Sequence, residues 1–327
     1  MRENPRFCLA DYIDLAIFAD NLQIKSKKYE KPHPMGWMIL KSILSTASGL
    51  TTESSYILRE FKNLIMKKVL DSKLIPRLRK IAPSISEENA VYIGDSLSDL
   101  EFAENAGIRF IAIATGRSTW EEFKNKGASF IASSHMQLID IISNLGIKII
   151  IFDFDGTLVN HFPARYKAYC DFLELINKKL KEIELRKLDY DNFREILRIR
   201  GFGKLPQATV AALLVAKGFI EMDELREISR QYYSSGKTKL IAEVLNSASQ
   251  RMKENVEIKT FKEIFKMDEY FQLQIDDNWE HPSHFFIYSD VPLMLKQLYP
   301  NHIICLYSSR TEKVSRVLLN SDLRIQT

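Results

Sequence analysis

Five short apolar runs, each rich in Ile, Val, Phe or Tyr, are the strongest pattern along the chain. Most lack strict alternation between apolar and polar positions, which is typical of strands that are buried on both faces. Four of the runs end in polar or glycine-containing turns, and a helical pattern follows each of these turns. This order predicts an α/β fold with a doubly wound parallel sheet. The predicted strands are Asp14–Ala19, Ala90–Ile93, Arg109–Ala114, Ile147–Phe152 and His302–Tyr307.

Two long segments show mainly helical patterns instead. The first, 45–83, contains a predicted helix at Tyr56–Leu70, and the second, 160–284, is long enough to be a separate helical domain. The helices predicted in the second segment are Lys167–Leu180, Ala208–Lys217 and Leu240–Met252. We therefore expect one core built from 1–44, 84–159 and 285–327, a helical insertion at 45–83 and a helical domain at 160–284.

The composition is that of an ordinary globular protein. Its 327 residues suggest about two domains, or one core with a large insertion. Apolar residues make up 46% of the chain and charged residues 27%, so a sizeable core can form without disulfides. The net charge is only +4, which argues against a dedicated nucleic-acid binder, because such proteins usually carry a large basic excess.

The cysteines and the apolar segments bear on the cellular compartment. Cys8, Cys170 and Cys305 are far apart and form neither a metal-binding spacing nor a disulfide framework. No stretch reaches the roughly 18 uninterrupted apolar residues of a membrane span. Aspartates interrupt the apolar part of the first 20 residues, unlike in a signal peptide. We expect a cytoplasmic protein that binds neither membranes nor nucleic acid.

The sharpest local signal is a pair of carboxylates directly after the predicted strand Ile147–Phe152. Asp153 and Asp155 are two residues apart, so at the end of an extended strand both side chains point to the same side. Two adjacent carboxylates repel each other and are tolerated when one binds a cation or carries a proton. Gly156 permits a sharp turn, and Thr157 can hydrogen-bond an anion. The pattern favours a functional loop over a merely polar strand end.

A second acidic pair, Asp95 and Asp99, follows the predicted strand Ala90–Ile93. Hard oxygen ligands of this kind suit Mg²⁺. The alternative is helix capping, since Ser98 and Glu101 have the spacing of a capping box and an acidic residue favours a helix N-terminus. The presence of the first acidic pair favours the metal interpretation.

Together these motifs resemble the haloacid dehalogenase (HAD) superfamily of phosphohydrolases. DFDGT at 153–157 is followed by a helical segment, and GDSLSD at 94–99 is followed by AENAG. The resemblance covers the strand–helix core but not the two helical segments. It implies a Mg²⁺-dependent phosphohydrolase that acts on a small phosphorylated metabolite through an aspartyl-phosphate intermediate. It also implies that 160–284 is a helical cap of the C1 type.

The resemblance assigns roles to the four acidic residues. Asp153 is the expected nucleophile, and Asp155 is the expected general acid and base. Mg²⁺ is expected to bind Asp153, the main-chain carbonyl of Asp155 and the side chain of Asp95. Asp99 is expected to support this metal site.

The family also has a hydroxyl side chain at a strand end and a lysine. Ser308 fits the hydroxyl position and Lys31 fits the lysine, as the resemblance implies. Ser309, Gly156 and Thr157 are expected to bind the substrate. Lys31 belongs to a basic cluster, which is often a solvated loop, but the Pro-His-Pro and the helical pattern that follow it single it out.

The order of these motifs differs from that of the family, in which the nucleophile loop comes first and the acidic metal motif last. Here Lys31 and Asp95 precede Asp153, and Ser308 comes last. Each motif occurs once, so a circular permutation of one complete core explains all of them. The permutation predicts that these residues converge on one site, with the Ile147–Phe152 strand at the centre of the sheet. The alternatives are a swapped dimer whose halves complete each other, or fragments of different HAD units.

The substrate and the reaction leave further alternatives open. Arg200 and Lys204 are candidates for substrate binding in the cap, although a plain helix–helix turn with solvated charges has the same pattern. A non-catalytic binding or regulatory module on a HAD core, and a phosphomutase, are the alternatives to a phosphohydrolase. A homodimer could form by swapping or through the 45–83 insertion.

Overall fold

The computed structural model describes two compact units. The core unit comprises Met1–Asn160 and Phe285–Thr327, and the helical unit comprises His161–His284. The described residues are 6–18, 22–24, 27–29, 31–48, 74–82, 84–179, 186–203, 205–235, 240–251, 284–310 and 312–326. The predicted helix Tyr56–Leu70 and the candidate Lys204 lie outside these ranges. The five-part division of the chain stays a prediction.

The described part of the core unit contains three sheets. Its strands are β1 (Arg6–Cys8), β2 (Leu15–Phe18), β3 (Gln23–Ile24), β4 (Lys27–Lys28), β5 (Ala90–Gly94), β6 (Arg109–Ile113), β7 (Ile131–Ala132), β8 (Ile149–Phe152), β9 (Val159–Asn160), β10 (Phe286–Ile287), β11 (Ile303–Ser308) and β12 (Asp322–Ile325). The main sheet is all parallel, in the order β2-β11-β8-β5-β6-β7. All five predicted strands belong to it, with β8 between β11 and β5. The predicted α/β fold with a parallel sheet is confirmed.

The central strand β8 explains why the sheet forms around it. Its four residues, Ile149, Ile150, Ile151 and Phe152, are all fully buried. Because helices cover both faces of the sheet, apolar residues occupy consecutive positions rather than alternate ones. Each such side chain contributes about 1.5–3 kcal/mol by its burial. The strand therefore anchors the acidic loop that follows it directly.

Helices connect these strands and build the helical unit. In the core unit they are α1 (Met35–Ser48), α2 (Leu74–Ile81), α3 (Leu97–Ala106), α4 (Trp120–Asn125) and α5 (His135–Leu145), followed after the helical unit by α11 (Val291–Leu298) and α12 (Glu312–Asn320). In the helical unit they are α6 (Phe162–Lys179), α7 (Tyr190–Arg198), α8 (Leu205–Ala216), α9 (Met222–Ser235) and α10 (Leu240–Arg251). Among the described helices, none has both the length and the apolar character needed to cross a membrane.

Helix α1 runs past the boundary expected between residues 44 and 45. Its apolar positions Ile43, Leu44 and Ala47 belong to one continuous buried cluster with the sheet. Leu74 and Leu78 of α2 join the same cluster. Both ends of the expected 45–83 insertion are thus packed into the core, because their apolar faces continue beyond the expected boundary.

The connection from α5 to β8 is short. Gly146 ends α5 with a φ of +65°, a left-handed conformation that glycine adopts without strain. Two residues later the main-chain N–H of Lys148 donates to the carbonyl of Asn89 at 2.8 Å. This bond aligns the chain beside β5 immediately before β8 begins.

A second sheet, in the order β1-β12-β10-β9, was not predicted from the sequence. In it β1 pairs antiparallel with β12, and β10 pairs antiparallel with β9. β9 ends at the last residue of the first core segment, and β10 begins one residue into the second core segment. The chain therefore leaves the core unit for the helical unit, and returns from it, through neighbouring strands.

Candidate active site

The acidic loops predicted from the sequence lie at one edge of the main sheet. Asp153 follows β8, Asp95 follows β5 and Ser308 ends β11. These three strands are neighbours and parallel, so their carboxyl ends lie at the same edge, where ligands bind in such sheets. The main-chain N–H of Asp153 donates to the carbonyl of Ile93 at 2.8 Å, which joins two of the loops directly.

Lys31 reaches this edge from the N-terminal part of the same chain. Its Nζ lies 2.7 Å from Asp153 Oδ1, 2.7 Å from Asp99 Oδ1 and 2.7 Å from the Tyr92 hydroxyl. An ammonium group has three protons to donate, so this geometry uses all of them. Lys31 and Asp153, the expected nucleophile, thus lie in direct contact within one chain.

Asp99 has both carboxylate oxygens engaged. Oδ1 accepts from Lys31 and from the Tyr92 hydroxyl, while Oδ2 accepts from the main-chain N–H and the hydroxyl of Ser96. Ser96 and Asp99 thereby form a capping box at the start of α3. In the alternative interpretation the capping box lay at Ser98, which is wrong, because α3 begins at Leu97 and the box forms at Ser96 and Asp99. Asp99 both caps the helix and holds the lysine.

Asp95 lies in a tight pocket walled by main chain. Its Oδ2 accepts from the N–H of Arg117 at 2.7 Å. A Cβ atom at Gly116 would lie 1.8 Å from that oxygen, and one at Gly156 would lie 2.1 Å from it. No side chain larger than hydrogen fits at either position, so the two glycines let both loops close around the carboxylate.

Three buried carboxylates lie together at this edge, and two of them, Asp99 and Asp153, contact the one buried amine of Lys31. Oxygen atoms of Asp95, Asp99 and Asp153 all lie within 4.8 Å of one another. Burial, with the neighbouring charges of Asp153 and Asp99, raises the pKa of Asp95 to about 8. Burial also raises the pKa of Asp153 to about 7, against the opposing charge of Lys31. A bound cation would stabilise the ionised form of these buried carboxylates, and their oxygen-only donor set fits Mg²⁺.

The amine of Lys31 keeps its positive charge in this site. Burial alone would lower the pKa of Lys31, but the carboxylates of Asp153 and Asp99 outweigh burial and raise that pKa above its ordinary value. Lys31 is therefore protonated at every physiological pH. It supplies a fixed positive charge beside Asp153 Oδ1.

The loop after Asp153 makes a sharp turn, and side chains from other segments hydrogen-bond to its main-chain carbonyls. Gly156 has a φ of +82°, which favours glycine, and its carbonyl accepts from the Thr115 hydroxyl at 2.9 Å. The carbonyl of Thr157 lies 2.6 Å from His135 Nε2. The Thr157 hydroxyl is buried and has no hydrogen-bond partner among the described residues. The loop is thus held in place by two other segments of the core unit, those that contain Thr115 and His135.

The two serines after β11 differ in exposure. Ser308 is buried, and its Oγ accepts from the main-chain N–H of Arg310 at 3.2 Å. A hydroxyl that accepts one bond keeps its own proton to donate. Ser309 is exposed, as a group that contacts a ligand can be.

Both carboxylate oxygens of Asp155 contact one arginine. Arg310 Nε lies 2.5 Å from its Oδ2, and Arg310 Nη2 lies 2.9 Å from its Oδ1. The side chain of Arg310 is only 7% exposed. The arginine thus forms a buried bidentate ion pair with the expected general acid.

Sequence reasoning missed two of these polar side chains. Tyr92 lies within an apolar strand, so it reads as a core aromatic, and only its contacts with Lys31 and Asp99 reveal its hydroxyl. Arg310 stands two residues after Ser308, and this spacing beside a candidate site was the available signal.

The predicted substrate-binding candidate Arg200 lies in the helical unit, where its side chain is exposed and its carbonyl accepts from Ser229 Oγ.

Comparisons with known proteins agree with part of this description. Residues 63–135 match the family model described as HAD-hyrolase-like. A search of curated proteins and a search of solved structures each gave no match. The matched segment contains β5, α3 and β6, and hence both Asp95 and Asp99. Together with the six-stranded parallel sheet, the match supports a HAD-like hydrolase domain in this chain.

Proposed function

We propose that this protein is a Mg²⁺-dependent phosphohydrolase that acts on a small phosphorylated metabolite. The observation that carries the proposal is the contact of Lys31 with Asp153 and Asp99, beside the third carboxylate, Asp95. One buried amine offsets only part of the charge of three carboxylates. Such a site is suited to taking up a divalent cation together with a phosphate dianion.

In the proposed reaction Asp153 is the nucleophile. One of its oxygens forms a bond to phosphorus, and the bond from phosphorus to the ester oxygen breaks. Asp155, which is ionised in its ion pair with Arg310, first takes up a proton from water and then gives it to the departing alcohol. The product of this step is an aspartyl phosphate on Asp153. A water then attacks phosphorus and loses a proton to Asp155, which releases inorganic phosphate and restores the Asp153 carboxylate.

The residues around Asp153 make this step electrostatically feasible. A carboxylate and a phosphate dianion repel each other, and the fixed charge of Lys31 lies 2.7 Å from Asp153 Oδ1 to offset that repulsion. Ser308 keeps a hydroxyl proton to donate to a phosphate oxygen. The exposed Ser309 and the main-chain N–H of Thr157 are the further donors that we assign to the phosphate. The N–H of Gly156 already donates to the carbonyl of Val159 at 2.8 Å, so this glycine shapes the turn.

The donor set fits a metal ion. When bound by Asp153, Asp95 and the main-chain carbonyl of Asp155, Mg²⁺ would neutralise the charge that the nucleophile and the phosphate bring together. Asp99 already accepts hydrogen bonds on both oxygens, so we assign it the role of holding Lys31 and the loop.

We further propose that the core is circularly permuted. The match to the HAD-like family model ends at residue 135, before the strand that carries Asp153 begins. This agrees with a chain in which the acidic metal motif precedes the nucleophile loop. Lys31 before Asp153, and Ser308 after it, reach the same edge of one sheet. One permuted core accounts for this arrangement without a second copy of any motif.

The helical unit is proposed to be the cap. It is inserted between β9 and β10, which are paired neighbours, so one short segment of sheet carries both connections. A cap inserted there can exclude water and select the substrate. Arg200 and Lys204 stay candidates for contacts with the substrate beyond its phosphate.

A screen of phosphorylated metabolites tests the proposal. Sugar phosphates, phosphorylated carboxylic acids and nucleotides are incubated with the full chain, in Mg²⁺ or in EDTA, and released phosphate is measured. We expect release only in Mg²⁺, its loss in Asp153→Asn, and its retention in Asp140→Asn. Asp140 is an exposed aspartate on α5 and serves as the matched control.

Other outcomes of the screen would contradict the proposal. Undiminished release in Asp153→Asn, or in EDTA, would remove the nucleophile or the metal from the reaction. A product that is an isomer of the substrate, without released phosphate, would indicate a phosphomutase. Binding of phosphorylated compounds without any turnover would indicate a binding or regulatory module.

A further inference from the structure

The ion pair between Asp155 and Arg310 has a geometry that fixes the orientation of the Asp155 carboxylate. Both oxygens of the carboxylate are engaged, by Arg310 Nε at 2.5 Å and by Nη2 at 2.9 Å. The two side chains are 18% and 7% exposed, so water screens the pair only weakly. A bidentate fork fixes the plane of a carboxylate as well as its position, which a single hydrogen bond does not.

Arg310 is itself held by the core unit. Its main-chain N–H donates to Ser308 Oγ at 3.2 Å, in the turn directly after β11. The ring of Phe285, which is fully buried, has its centroid 4.9 Å from the guanidinium carbon. The edge of the guanidinium therefore faces Asp155 while an aromatic ring lies against it, so its orientation is set by folding.

We infer that Arg310 is the positioning residue for proton transfer by Asp155. It holds the carboxylate in one orientation and offsets its charge beside Asp153, without itself contacting the phosphate. This inference rests on the proposed function, because it assigns a role within that reaction. Direct binding of the phosphate by Arg310 is the competing role, because the two bonds to Asp155 use only two of the five N–H donors of a guanidinium. The comparison of leaving groups described next separates the two roles.

The inference predicts an effect that depends on the leaving group. A poorly acidic alcohol needs a proton as its bond to phosphorus breaks, whereas nitrophenolate leaves without one. A misplaced Asp155 should therefore slow phenyl phosphate far more than p-nitrophenyl phosphate. The value of kcat/KM covers substrate binding and phosphoryl transfer to Asp153 but not the later hydrolysis of the aspartyl phosphate, so the ratio of kcat/KM for the two substrates isolates the effect of the leaving group. A general loss of phosphate binding would change both substrates equally and leave the ratio unchanged.

The test compares Arg310→Gln and Arg310→Lys with the wild type. We expect kcat/KM to fall on the order of 100-fold for phenyl phosphate and by less than about fivefold for p-nitrophenyl phosphate in Arg310→Gln. Arg310→Lys keeps the charge but not the fork, so a smaller change of the same kind is expected. Equal losses for the two substrates in both variants would overturn the inference.

A double-mutant cycle between Asp155 and Arg310 separates a loss of positioning from a loss of stability, which the arginine variants could also cause. In the Asp155→Asn background, a residue that acts only through Asp155 has nothing left to position, so Arg310→Lys should have almost no further effect on kcat/KM. A full additional loss there would assign Arg310 a separate role and overturn the inference. Failure of the proposed function is distinguishable, because the wild type would then hydrolyse neither compound, nor any metabolite of the screen, in Mg²⁺.

Discussion

Lys31 Nζ lies 2.7 Å from Asp153 Oδ1, although the two residues are 122 positions apart in the chain. The lysine comes from the segment that follows β2, at one edge of the sheet, and the aspartate follows the central strand. The contact depends on strands from both ends of the chain forming one sheet, in which β2 pairs with β11 and β11 pairs with β8. It is the structural basis of both the proposed reaction and the proposed permutation.

Removal of the lysine charge should stop turnover without unfolding the protein. Lys31→Met keeps most of the side-chain volume but leaves Asp153 and Asp99 without their shared cation. We expect kcat to fall by about 10²–10³, the usual cost of losing one preorganised donor at a reacting group. The exposed Lys126 provides the control Lys126→Met, which should retain activity. Normal kcat in Lys31→Met would exclude the lysine from the mechanism.

The hydroxyl of Tyr92 should affect turnover by holding Lys31 in place, not by packing in the core. Tyr92→Phe keeps the ring between Phe102 and Tyr307 but removes the contacts with Lys31 and Asp99. One lost hydrogen bond to a charged group is worth about 1.5–3 kcal/mol, so we expect kcat to fall by about tenfold or more. Steady-state kinetics with Tyr12→Phe as the control measure this. A variant that is destabilised but has normal kcat would leave Tyr92 a purely structural role.

Asp95 gives a prediction for the pH dependence of stability. Its pKa rises from the ordinary 3.8 to about 8 in the folded chain, so between these values the folded state holds a proton that the unfolded state has lost. Stability in EDTA should therefore fall as the pH rises from about 4 to about 8. Asp95→Asn removes this titration and should give a thermal midpoint above that of the wild type at pH 8, but not at pH 4.

Mg²⁺ provides the second half of that experiment. A cation that binds only the folded, ionised site raises the midpoint by mass action. We expect Mg²⁺ to stabilise the wild type more at pH 8 than at pH 5, and to have little effect on Asp95→Asn. An equal effect of Mg²⁺ on both proteins would place its binding elsewhere.

The parallel sheet was predictable because its strands are apolar at consecutive positions. Runs such as that of β8 are long enough to be distinguished from turns. The second sheet was not predictable, since β9 and β10 have two residues each and carry no periodicity. Their pairing depends on segments more than 100 residues apart meeting in the fold, which no local pattern encodes.

The candidate site was predictable where a motif gives residues a fixed spacing. Asp95, Asp99 and Asp153 come together because Asp95 and Asp153 directly follow neighbouring strands of one parallel sheet and Asp99 lies in the first turn of the helix after β5. Arg310 and Tyr92 were missed for a physical reason. Their roles come from hydrogen bonds across the fold to side chains on other elements. The sequence around Tyr92 carries no signal of this role, and that around Arg310 carries only its closeness to Ser308.

The permutation predicts that the family order of motifs also supports this site. β12 ends next to the start of β1, because these strands pair antiparallel from Cys8–Asp322 to Arg6–Arg324. Joining the chain there by a short glycine–serine linker, and opening it between Gly146 and Ile147, should give a folded protein with activity within about tenfold of the wild type. Opening it inside β8 is the matched control and should prevent folding. A protein joined and opened at the first positions that fails to fold would contradict the prediction.

The most direct measurement is the chemical identification of the phosphorylated residue. The protein is mixed with a substrate found in the metabolite screen and Mg²⁺, quenched rapidly, and reduced with borohydride, which converts an aspartyl phosphate to homoserine. Peptide mass spectrometry then locates the modified position. The account predicts homoserine at Asp153, absent from the Lys31→Met protein on the same timescale. Turnover that continues while Asp153 stays unmodified, or modification at another carboxylate, would contradict it.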